Sequence, residues 1–130
     1  MRGLDTNILV RYVTDDDPRM ASAAEALMAE ASERGEELIV QPVVVCELVW
    51  VLETTFSYSR ESIGAVLKLI LESFEVPDRG VVEAALADFM IGPGDFADYY
   101  IGRANEHAGA DTTLTFHRKL KAHPRFRLVR

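Results

Sequence analysis

The sequence predicts one α/β domain, a mainly parallel central sheet with helices on both faces. Three observations carry the prediction. Short apolar runs rich in β-branched residues alternate with helix-length stretches, the pattern of buried parallel strands joined by helices. The 130 residues suit a single domain able to bury a core without disulfide or metal staples. The composition, 48% hydrophobic and 27% charged, excludes the collagen-like and disordered classes.

The elements follow in order. Gly3 and Leu4 lead into a very short strand ending at Asp5, which places that acid at a strand's carboxyl end. Ile8, Leu9, Val10, Tyr12 and Val13 then make a helix capped near Thr6 or Asn7. Asp15-Asp16-Asp17-Pro18 stops it and caps the next, with Pro18 in first position, and the Ala-rich stretch 19–34 is helical until Gly35. Leu38-Ile39-Val40 suits a buried strand closed by Pro42. Segments 43–56 and 60–74 are helical, and Phe74-Glu75-Val76 forms another short strand. Val81, Val82, Ala85, Leu86 and Phe89 place one apolar face on a helix over 79–90. Gly92-Pro93-Gly94 breaks the chain before a helix over 95–107, which Gly109 ends. Segments 112–116 and 126–129 supply the last strands. In this architecture sites collect at the carboxyl ends of strands.

Net charge is −7, which argues against binding a polyanion, but it is unevenly spread. Residues 1–111 hold all 21 acids and 8 basic residues, whereas 112–130 hold Arg118, Lys119, Lys121, Arg125, Arg127 and Arg130 and no acid. A solvated tail and a patch facing a polyanion account for this asymmetry equally well. The single cysteine, Cys46, can form neither an internal disulfide nor a zinc cluster, which suits a reducing cytoplasm. The opening residues are too brief and too soon acidic for a signal peptide, and no apolar run approaches a membrane span, so a cytoplasmic protein is expected.

Glu47 is the most informative residue, because Val43, Val44, Trp50 and Val51 occupy its i±3 and i±4 positions. A carboxylate buried there needs a partner, a metal or a proton, and the spacing favours burial over a half-exposed face. Asp5 and Asp98 are further candidates, each with an ordinary reading as a helix cap: Asp95 suits the N-cap position and Asp98 the third helical position.

Taken together, Leu4-Asp5-Thr6-Asn7-Ile8-Leu9-Val10-Arg11-Tyr12, Cys46-Glu47-Leu48-Val49-Trp50-Val51-Leu52, Asp95-Phe96-Ala97-Asp98 and Leu114-Thr115-Phe116 resemble the PIN-domain ribonuclease pattern. More closely, they resemble the VapC-type toxins of bacterial toxin–antitoxin pairs. The resemblance covers nearly the whole chain and implies a single PIN-like domain over 1–130. It implies that Asp5, Glu47 and Asp98 converge on a pocket that binds Mg²⁺ or Mn²⁺ and cleaves RNA. It further implies a cognate antitoxin protein and a homodimer. Three carboxylates crowded together repel one another, and a hard divalent cation relieves that repulsion. Thr6, Asn7, Asp95, Thr113 and Thr115 are available as supporting donors or substrate contacts, and Arg118, Lys119 and Lys121 as holders of RNA phosphates.

The chain departs from the pattern at one place. The family's fourth acid follows the Thr-Phe pair, and here that position is His117. Imidazole binds Mn²⁺ but is a poor Mg²⁺ ligand. The alternative function is therefore a PIN-like interaction module of attenuated catalysis that binds antitoxin or RNA. A phospho-receiver domain would want paired acids after the first strand and a late lysine after another, and has neither here.

Overall fold

The computed structural model describes residues 1–130, and they form two compact units, Met1–Pro77 and Asp78–Arg130. In the first unit β1 (Arg2–Gly3) pairs in parallel with β2 (Leu38–Ile39), Arg2 opposite Leu38 and Gly3 opposite Ile39. The expected strand at Phe74-Glu75-Val76 shrinks to a single parallel bridge between Ile39 and Glu75. Phe74 and Val76 are buried there, but the run is too short to extend the ladder beyond that one bridge.

Asp5, not Thr6 or Asn7, caps α1 (Thr6–Val13): its extended backbone lets the carboxylate accept the Thr6 N–H at 2.7 Å. The strand correspondingly stops short of Asp5. Leu9 and Val10 are buried, and Thr14 ends the helix by donating its hydroxyl to the Val10 carbonyl at 2.7 Å. In α2 (Pro18–Glu33) Asp17 caps the Met20 N–H and Pro18 takes the first turn, where its missing N–H costs nothing. Pro42 likewise opens α3 (Pro42–Thr54) as well as closing the strand before it. Ser59 caps α4 (Arg60–Ser73), whose Ile63, Leu67 and Ile70 join Val45, Leu48 and Leu52 of α3 among the buried residues.

The second unit opens with α5 (Arg79–Ile91), packed on α6 (Phe96–His107). β3 (Thr113–Thr115) and β4 (Phe126–Leu128) form a parallel pair with Leu114 opposite Arg127, joined through a single 3-10 turn, Arg118–Leu120. Phe89 and Phe96 meet edge to face at 6.0 Å, and Phe126 lies over Gly102. A Cβ at Gly102 would fall 2.5 Å from the Phe126 ring. Gly102→Ala is therefore expected to cost about 1–3 kcal/mol through overpacking, checked by urea unfolding; an unchanged midpoint would contradict the close approach. The α/β character and the parallel pairing of every strand agree with the expected fold class.

On α5 itself, Asp88 is a buried carboxylate. Arg103 donates to both of its oxygens, Nε to Oδ2 at 2.7 Å and Nη2 to Oδ1 at 2.8 Å. His123 adds a contact from Nε2 at 3.1 Å. The Arg125 N–H donates to His123 Nδ1, so Nε2 is the nitrogen that carries the proton toward Asp88. Burial pushes the Asp88 carboxyl up, but the hydrogen bonds from Arg103 and His123 outweigh it and hold the group below the usual carboxylate range.

Candidate functional site

In the first unit, sequence and fold bring Asp5 and Glu47 to one open cleft. Thr6, one residue past the cap, donates its hydroxyl to Glu47 Oε1 at 2.9 Å and so ties the start of α1 to the middle of α3. Asp5, Thr6, Asn7, Arg11, Asp16 and Glu47 all line this cleft.

Glu47 is exposed, against the expectation of burial. Its i−4 and i+3 neighbours, Val43 and Trp50, are themselves 63% and 65% exposed. Positions 43, 47 and 50 form one helix face turned to solvent, while Val44, Val45, Leu48 and Val49 carry the burial. Next to it, Cys46 is half-buried, and burial, reinforced by the Glu47 charge, pushes its thiol up to about 11. That removes Cys46 as a nucleophile at neutral pH.

In the second unit the donors gather at the start of α6. Asp95 and Asp98 form a reciprocal capping box, in which the Asp95 N–H donates to Asp98 Oδ2 at 3.3 Å. The cap expected at Asp95 is thus present, and Asp98 is also part of it. His117 comes from beyond β3: its N–H donates to Thr115 Oγ1 at 3.0 Å, and Nε2 stands 3.6 Å from Asp98 Oδ2. One donor atom each from Asp95, Asp98 and His117 lies within 4.8 Å of the others. Two carboxylates and an imidazole at that spacing suit a divalent cation of the Mn²⁺ type better than Mg²⁺, which prefers oxygen throughout.

Thr115 thus orients the His117 backbone, and Thr113 accepts from Asn105 Nδ2 at 3.0 Å, which joins β3 to α6. Arg118 and Lys119 are exposed on the 3-10 turn anchored by buried Leu120, and Lys121 is exposed just after it. Two residues escaped the sequence reading. Arg11 lies in the acidic cleft, and Asp88 is buried among Leu86 and Phe89, a setting that the reasoning applied to Glu47 would have flagged.

Residues 4–124 match the PIN domain, and the chain belongs to the PIN-domain family. Within that family it is similar to the VapC ribonuclease of Aquifex aeolicus (strain VF5), at 28% identity over 123 residues, 93% of this chain and 90% of the relative. No helix is long and apolar enough to cross a membrane.

Proposed function

We propose that this chain is a metal-dependent endoribonuclease and the toxin of a toxin–antitoxin pair. In this reading residues 1–130 act as one PIN-like domain, and Asp5, Glu47 and Asp98, with His117 at the fourth position, serve one Mg²⁺ or Mn²⁺ pocket. The observation that carries it is Asp98, held by the Asp95 capping box, with His117 Nε2 3.6 Å away, in a chain matched to the PIN domain.

A divalent cation held by these acids would supply Lewis acidity toward a phosphodiester and toward an attacking water. The chain's own residues prepare the place for it. Thr6 fixes Glu47 through Oε1 and leaves Oε2 to serve as a ligand. Asp5 is oriented by the Thr6 N–H on Oδ1, and the capping box orients Asp98. Arg118, Lys119 and Lys121 hold phosphates of the RNA by charge. Restraint by an antitoxin protein and assembly as a homodimer in the cytoplasm belong to the same reading, supported by the likeness to VapC ribonuclease and by the exposed Val43 and Trp50.

The test is cleavage of a structured RNA with Mn²⁺ or Mg²⁺. The chain as written should cleave and Asp5→Asn should not. A second reading, an attenuated module that binds antitoxin or RNA, is favoured by His117 beside Asp98, where an acid would add a negative charge. Binding without metal-supported cleavage would select it. His117→Asp is expected to tighten Mg²⁺ binding about tenfold and to raise cleavage in Mg²⁺, by calorimetric titration and kinetics. If the parent already cleaves well with Mg²⁺ and the variant changes neither quantity, position 117 is not a ligand.

A further inference from the structure

We propose that Arg11 is a substrate-binding residue that grips a phosphate of the nucleic acid in the cleft of Asp5, Thr6, Asn7 and Glu47; the assignment rests on the nuclease reading above. Arg11 follows Asn7 by four residues on α1, so the two share a helix face, and both line the cleft. Three carboxylates, Asp5, Asp16 and Glu47, line it as well, and they repel an incoming polyanion. Arg11 is the cation set among them.

Its hydrogen bonding is far from complete. Nη1 reaches Asp16 Oδ2 at 3.4 Å, and the Asp16 side chain is 61% exposed. Nε is buried with no hydrogen-bond partner. Other arginines of this chain contrast with it: Arg103 forks onto Asp88 at 2.7 and 2.8 Å, and Arg2 makes contacts of 2.6–3.0 Å with Glu36. Those two are structural pairs with the guanidinium satisfied. Arg11 instead has most of its five donors unspent and one long, solvent-screened contact to give up.

A second recess, lined by Asn7, Ile8, Arg11, Met20, Ala23 and Ala24, lies along the same residue. The side chain is 26% exposed and lines both this largely apolar recess and the acidic cleft. A phosphodiester presents two oxygens at the spacing of the guanidinium fork and would replace Asp16 with two charge-assisted hydrogen bonds. No proton or bond changes hands in this step: Arg11 binds and orients.

The experiment compares the parent with Arg11→Gln and Arg11→Lys. With Mn²⁺ and a structured RNA, Arg11→Gln is expected to raise KM about 10- to 100-fold, with Mn²⁺ affinity and the unfolding midpoint nearly unchanged, and Arg11→Lys to recover part of the loss. In parallel, binding of a labelled single-stranded RNA is followed across salt with Ca²⁺ in place of Mn²⁺. The slope of log affinity against log salt should fall by about 0.7 in Arg11→Gln, one phosphate contact. If the parent cleaves and Arg11→Gln keeps both KM and slope, the Arg11 assignment fails alone. If Arg11→Gln loses Mn²⁺ binding, the residue shapes the acidic cleft and the assignment again fails. A parent that never cleaves while the slope difference persists overturns the nuclease reading and leaves the phosphate contact standing. A parent that does not bind RNA overturns both.

Discussion

Asp98→Asn is expected to lower Mn²⁺ affinity about 100-fold and to abolish metal-supported RNA cleavage, whereas Asp95→Asn retains both within a few-fold. Even residues one layer behind a metal's ligands are worth about 10- to 100-fold in affinity, so a lost ligand charge belongs at the upper end. The variant should remain folded. In the capping box Asp98 Oδ2 accepts the Asp95 N–H at 3.3 Å, and an asparagine carbonyl oxygen can accept the same bond. Asn at 95 is as good an N-cap as Asp. Calorimetric Mn²⁺ titration on both variants, with thermal unfolding to confirm the fold, separates the roles; equal losses would show Asp95 to be a ligand of the same rank.

Asp88→Ala is expected to destabilise the chain by about 3–5 kcal/mol, because removing one partner of a buried pair strands the other charge. The lower end is favoured, since Arg103 keeps a second acceptor in Glu106 Oε1 at 3.2 Å. The pH dependence has a definite sign. The Asp88 carboxyl is held below its ordinary value in the folded chain, so its contribution is fully present above the unfolded value, about 3.9, and is lost as pH falls through the folded one. The gap in unfolding free energy between parent and Asp88→Ala, measured by urea titration, should hold steady above about pH 5 and shrink only below about pH 4. A loss under about 1 kcal/mol at neutral pH would mean that Arg103 is well solvated once Asp88 is gone.

Asp88 and Glu47 together show why acids in apolar surroundings are hard to read from sequence. Each has apolar residues beside it, and for each the neighbours suggest burial. Only Asp88 is buried, because it sits on α5 where α6 packs against that helix, and Arg103 of α6 and His123 satisfy it. Glu47 stands on the face of α3 that Val43 and Trp50 also leave open. A helix rich in valine and leucine carries more apolar residues than one buried face can hold, so its hydrophobicity cannot say which side is core.

Features legible in the sequence are local ones. Asp17-Pro18 at the start of α2 and the Gly-Pro-Gly break before α6 place those boundaries within a residue or two. Short-range hydrogen bonding and backbone sterics govern such features, and they act over four or five residues. The ordered acids mark the PIN family in the sequence itself, because their spacing is a sequence property. Tertiary structure decided the rest. It put Thr6 on Glu47 across 41 residues, set His117 beside Asp98, reduced the strand at Glu75 to one bridge and left Arg11 half-satisfied in an acidic cleft. Those outcomes depend on which elements meet and on how many polar groups arrive together, a long-range packing result that no window of sequence contains.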